Sequence, residues 1–205
     1  VVDRYPLMHD VTATIGDPQV RNWGTIGGSC AHADPSSDWP AVLIASRAGI
    51  VLRSATGERT VAARDFFLDT FQTAIEPTEL LIEVLIPNAT RPSGEAYAKL
   101  ERRAGDFATV GVAARFSLGP DGRIASAGIG LTAVAEAPFA ATGAEAALVG
   151  QAPVEATFQA AGAAAAAESR PGSDAHGPEE YKRAMVREMV VRALRSAAAR
   201  AQAQR

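Results

Sequence analysis

One cysteine, three histidines and 6% aromatic residues leave this 205-residue chain short of the side chains that most site chemistries require. Cys30 has no second thiol for an internal disulfide, and a single thiolate falls short of a zinc or iron–sulfur ligand set. Any such centre must belong to another chain. Charge of one sign is also missing: 20 Lys and Arg stand against 23 Asp and Glu, for a formal net charge of −3. No basic field exists for a phosphate backbone, so nucleic acid is not the expected partner. No apolar run approaches the roughly 20 residues that cross a bilayer. The opening Val1-Val2-Asp3-Arg4-Tyr5-Pro6 lacks the basic-then-apolar order of a signal peptide, and a cytoplasmic location is expected.

What is present is ordinary globular composition, 47% apolar and 21% charged, enough for one large or two small domains. Residues 6–13 read as the end of a helix with nothing before it to pack on, as if the sequence entered in mid-domain. After the turn-forming Gly16-Asp17-Pro18, residues 20–29 are so rich in glycine that a tight loop is expected. Asp38 and Pro40 open a helix over residues 41–45, stopped at Gly49. Residues 50–53 and 59–62 make a hairpin around Ala55-Thr56-Gly57-Glu58, Phe66, Phe67 and Phe71 add buried aromatic weight, and residues 79–86 form an apolar strand closed by Pro87.

Residues 88–94 have the composition of a linker, which divides the chain into domains 1–90 and 91–205. Beyond it, residues 96–102, 108–118 and 124–134 predict an antiparallel meander. The alanine-rich remainder predicts helices, with a loop over 169–177 and a final helix from Pro178. On that helix Tyr181, Met185, Val186, Met189, Val190, Ala193 and Leu194 form one apolar stripe, and Lys182, Arg183, Arg187, Arg192 and Arg195 the solvent side.

The segment Thr25-Ile26-Gly27-Gly28-Ser29 followed by His32-Ala33-Asp34-Pro35-Ser36-Ser37-Asp38 carries the most chemical information. Paired glycines let main-chain N–H groups converge on one point without a Cβ in the way, which suits a diphosphate; a plain turn is the competing reading. The spacing satisfies neither Gly-x-Gly-x-x-Gly nor the P-loop, which excludes both. His32, Asp34 and Asp38 fall short of a closed metal shell. Asp38 also reads as a helix cap, Lys99 as a solvated strand lysine and Cys30 as a small packed side chain. No local Ser/His/Asp or Cys/His grouping marks a nucleophilic enzyme.

Taken together, Gly16-Asp17-Pro18-Gln19-Val20-Arg21-Asn22-Trp23-Gly24-Thr25-Ile26-Gly27-Gly28-Ser29 and the segment from His32 to Ala41 resemble the FAD-binding medium subunit of molybdenum hydroxylases of the aerobic carbon monoxide dehydrogenase and xanthine dehydrogenase type. The resemblance extends through Asp65-Phe66-Phe67, Glu76-Pro77-Thr78-Glu79-Leu80-Leu81, Tyr97-Ala98-Lys99-Leu100 and Asp174-Ala175-His176-Gly177-Pro178-Glu179-Glu180-Tyr181-Lys182-Arg183. It implies an α+β protein: the second part of a flavin-binding domain, then a domain of three-stranded antiparallel sheet plus helical bundle. It places Thr25, Gly27 and Gly28 at the FAD diphosphate with Ile26 and Ser29 close by, and His32, Asp34, Asp38, Leu81 and Lys99 also at the cofactor. It implies a large subunit with the molybdenum cofactor and a small subunit with 2Fe-2S clusters, in a dimer of heterotrimers, so this chain is an electron relay and its flavin carries the chemistry. The Gly-rich loop that family members carry upstream has no match before Thr25, and the N-terminal subdomain is expected to be absent. That leaves a flavin-free scaffold, which only docks the large and small subunits, as the alternative. Trp23 is bulkier than expected beside such a turn.

Overall fold

The computed structural model describes residues 5–89 and 92–204. Helix α1 (Pro6–Thr14) begins on a proline, whose missing N–H costs nothing in a first turn, and buries Leu7, Met8 and Val11. The stretch expected as a tight loop is instead two short helices, α2 (Pro18–Trp23) and α3 (Ile26–His32). Side-chain caps explain the difference. Asp17 Oδ1 and Thr25 Oγ1 accept the amides of Val20 and Gly28, each at 2.9 Å. A cap is worth about 1 kcal/mol, as much as one glycine costs a helix.

Helix α4 (Asp38–Ala45) is buried along almost its whole length. The expected hairpin follows as β1 (Gly49–Ser54) and β2 (Gly57–Ala62), in register from Gly49↔Ala62 to Ser54↔Gly57. After α5 (Ala63–Phe66), β3 (Phe67–Asp69) and β4 (Gln72–Thr73), strand β5 (Leu80–Leu85) joins β1 on its other side, giving the antiparallel order β2-β1-β5.

Strand β6 (Ser93–Leu100) takes in the last two residues of the stretch read as linker, of which residues 90 and 91 lie outside the described residues. Ser93 and Glu95 are buried there, and a Cβ on Gly94 would stand 1.9 Å from the Ala197 carbonyl oxygen, so the strand is clamped where an open connection was expected. Strands β7 (Val110–Leu118) and β8 (Ile124–Thr132) complete the meander, and a two-residue β9 (Phe139–Ala140) adds a fourth strand to the three expected. Helices α6 (Thr142–Leu148), α7 (Glu155–Glu168) and α8 (Glu179–Gln202) close the chain. Lys182, read as solvent-facing, is only 4% exposed. The loop before α8 folds back over its first turn, so that Lys182 Nζ meets Asp174 Oδ2 at 2.6 Å and the Gly172 carbonyl at 3.0 Å. Tyr181, read as part of the apolar stripe, is 43% exposed.

The meander lies between helices on both faces. Alternation along β7 turns Val110, Val112, Ala114 and Phe116 into the core shared with α7 and α8, and Ala113 into the core shared with α1 and α4. The second contact is close enough to exclude side chains. A Cβ on Gly128 or Gly130 would come within 2.1 or 2.0 Å of the carbonyl oxygens of Ala45 or Ala41, so α4 rests directly on the backbone of β8. Arg64 binds Glu145 through both terminal guanidinium nitrogens, and Glu145 also accepts the Ile129 amide at 2.9 Å, which fastens the two regions together.

Candidate functional site

The pleat that divides the cores also builds the site. Tyr97 and Lys99 are two residues apart on β6 and share its α1/α4 face, while Ala96 and Ala98 pack into the other core. Asp38, at the first position of α4, meets them. Its Oδ1 accepts the Tyr97 hydroxyl at 2.5 Å and its Oδ2 accepts Lys99 Nζ at 3.0 Å. The ammonium also donates to the Thr14 carbonyl at 3.1 Å and stands 3.4 Å from Glu101 Oε2. One cation thus lies between two carboxylates.

These contacts overturn two expectations. Asp38 caps nothing: Ser37 holds the cap position of α4, with its Oγ 2.6 Å from Ser29 Oγ and no side-chain cap bond, and the Asp38 carboxylate is turned toward β6. Lys99 is no solvated lysine, since its side chain is 2% exposed. Burial pushes the Asp38 carboxyl above its ordinary value, against the Tyr97 hydrogen bond and the Lys99 charge that pull it down, while Glu101 adds to the rise. Burial and the neighbouring Asp38 charge hold the Tyr97 phenol well above its usual value.

Asp38 and Lys99 line a cavity of about 660 Å³ that is also lined by Thr25, Ile26, Gly28, Ser29 and His32. Seven of the ten residues expected at a cofactor are therefore brought together. The other three stand apart from the lining. Gly27 faces β5, where a Cβ would be 3.4 Å from Leu81 Cδ2, so Gly27 and Leu81 pack on each other behind the helix start. Asp34 closes a local turn by accepting the Ser36 amide at 2.8 Å.

The amides are also arranged differently from a loop of converging donors. Gly28 N–H is held by Thr25 Oγ1, whereas Ile26 and Gly27 open α3, where N–H groups lack intrahelical acceptors. Ser29 Oγ and Ser37 Oγ are 2.6 Å apart, and the His32 ring lies at 5.1 Å from that of Phe71. Cys30 is fully buried behind this turn, and burial pushes its thiol up to about 12, which makes it an inert packed side chain.

Sequence reasoning missed Tyr97, Glu101 and Phe107 as members of the site. The first two had a signal: Tyr97, Lys99 and Glu101 follow the period of a strand, which places three polar residues on one face. Phe107, from the loop after β6, had none. Among the described residues no group of three His, Cys, Asp or Glu side chains could hold a metal ion, and no helix is long and apolar enough to cross a membrane.

A helix start with open amides, hydroxyls beside it, a buried charge cluster and an apolar rim fit the diphosphate and ring systems of a dinucleotide. Comparison with known proteins agrees. Residues 1–89 match the FAD binding domain in molybdopterin dehydrogenase, and residues 95–197 match the CO dehydrogenase flavoprotein C-terminal domain. The chain belongs to this family of FAD-binding medium chains. It is 42% identical to the carbon monoxide dehydrogenase medium chain of Hydrogenophaga pseudoflava over 96% of its own length and 68% of that protein. It is 36% identical to the glyceraldehyde dehydrogenase medium chain of Sulfolobus acidocaldarius over 97% of its length and 70% of that protein. A solved carbon monoxide dehydrogenase from Hydrogenophaga pseudoflava superposes with a TM-score of 0.94 at 44% identity, covering 98% of this chain and 69% of the matched one. The chain is thus an oxidoreductase subunit with an FAD-binding domain.

Proposed function

We propose that FAD lies across the cavity at the start of α3 and that this chain relays electrons, which leave a molybdenum cofactor in a large subunit and cross 2Fe-2S clusters in a small one, to an external acceptor. The observation that carries the reading is the placement of the open start of α3 and the buried Asp38–Lys99 pair on one cavity. Bound flavin would supply the redox exchange itself; the protein holds and tunes it.

In this reading the amides of Ile26 and Gly27 and the hydroxyls of Thr25 and Ser29 serve the diphosphate, as helix starts do for anions generally. Gly28 leaves room for the Thr25 cap, since a Cβ on it would stand 2.9 Å from Thr25 Oγ1. Lys99 brings positive charge to the ring system, Asp38 and Glu101 temper it, and His32 stands at the rim. Leu81 acts through Gly27, by bracing the helix start from behind. The large and small subunits dock on the outside of this unit, and the assembly is a dimer of heterotrimers.

The test compares the chain with Gly28→Glu, which adds a negative charge at the start of α3 and a Cβ 2.9 Å from Thr25 Oγ1. Flavin absorbance per mole of protein should be present in the parent and absent from the variant, with unchanged circular dichroism. Equal flavin content in both would remove the assignment of the α3 start to the diphosphate.

A further inference from the structure

Trp23, the last residue of α2, is 91% exposed, the least covered large apolar side chain among the described residues. A lone exposed apolar side chain needs no explanation, but this indole is not alone. Val20, one helical turn earlier, is 53% exposed and Phe107 is 58% exposed, and all three line the cavity that holds Asp38 and Lys99. Apolar groups gathered on a concave surface with a few polar groups at its base are the usual make-up of a ligand site.

The rim is also held in place. Gly105, in the loop that carries Phe107, lies so close to the turn before α2 that a Cβ on it would stand 3.3 Å from the Gly16 backbone. Trp23 precedes Thr25 by two residues, so its Cα lies within roughly 7 Å of the Cα of the residue that caps α3. A dinucleotide carries a planar ring system on either side of its diphosphate, and an indole offers the broadest stacking face among side chains.

We propose that Trp23 stacks on a planar ring of the bound dinucleotide and positions the part of it nearest to α2. This rests on the FAD reading above. The stack replaces water on both the indole and the ligand ring, which accounts for an aromatic side chain left open at the edge of the cavity.

The experiment measures equilibrium binding of FAD, FMN and ADP to the full chain, to Trp23→Phe and to Trp23→Ala, with urea midpoints as a check on folding. Loss of one aromatic stack weakens binding by about tenfold. Trp23→Ala should therefore bind FAD about tenfold more weakly, Trp23→Phe should stay close to the parent, and the urea midpoint should hold because the side chain is exposed. Indole emission should also fall on binding in the parent and less so in Trp23→Phe. A loss of FAD affinity matched by ADP and not by FMN assigns the stack to adenine, and one matched by FMN and not by ADP assigns it to the isoalloxazine; either supports the proposal. Trp23→Ala with the parent's affinity for FAD overturns the stack while leaving the FAD site in place. No flavin on any of the three chains takes down the site and the stack together.

Discussion

Replacement of Lys99 by Met keeps the aliphatic stem of a buried side chain and deletes its charge. In the parent, Nζ stands 3.0 Å from Asp38 and 3.4 Å from Glu101, with the Lys99 side chain 2% exposed and that of Asp38 8% exposed. Removing one partner of a buried pair costs about 3–5 kcal/mol, because the other charge stays desolvated. Against a total stability of about 5–15 kcal/mol, this is a third or more in most of that range. The melting temperature should fall by roughly 6–20 °C, at about 2–4 °C per kcal/mol for a chain of this size.

The pH dependence gives the sharper arm. Burial raises the Asp38 carboxyl despite Tyr97 and Lys99. Deleting Lys99 removes one of the opposing influences, so the carboxyl rises further. A carboxyl raised in the fold keeps its proton where the unfolded chain has already released it. The folded state then binds more protons, and stability falls as pH rises from about 4 up to the folded-state value. The deficit of Lys99→Met should be larger at about pH 8 than at about pH 5, and adding Asp38→Asn should recover part of it. Urea unfolding followed by far-ultraviolet circular dichroism at the two pH values measures this. A loss below about 1 kcal/mol, flat with pH and indifferent to Asp38→Asn, is what a solvated lysine would give and would refute the reasoning.

Two further substitutions and reactions probe the packing around the site. Gly130→Ala places a Cβ 2.0 Å from the Ala41 carbonyl oxygen, where neither backbone can yield, and should cost about 3 kcal/mol or more in urea unfolding. Gly172→Ala, with nothing within 4 Å of the added carbon, should stay within about 0.5 kcal/mol; equal losses would mean that α4 does not rest on β8. Cys30, fully buried and with its thiol pushed up to about 12, should resist a neutral thiol reagent near pH 8 in the native chain and react promptly in urea. Prompt labelling of the native chain would show that the turn behind the cavity is open.

The regular elements were legible because local rules govern them. The β1–β2 hairpin follows from two strand-like runs around Ala55-Thr56, the meander from alternation, and α8 from its four-residue steps. The stretch around the paired glycines was misread as a loop because Asp17 and Thr25 caps, not composition, decide its state. Likewise Lys182 follows a helical solvent pattern, and only the returning loop with Asp174 buries it.

By itself the amino-acid order determined the longer strands and helices, the paired glycines and the family likeness, since each is written in neighbours a few residues apart. Tertiary structure alone decided that Asp38, Tyr97, Lys99 and Glu101 form one charged cluster on a cavity, across sequence gaps of 59 and 61 residues from Asp38 to Tyr97 and Lys99. The physical reason is that burial, which turns an ordinary lysine and aspartate into a tuned pair, is a property of how α4 lies on the meander. No periodicity along the chain records that contact.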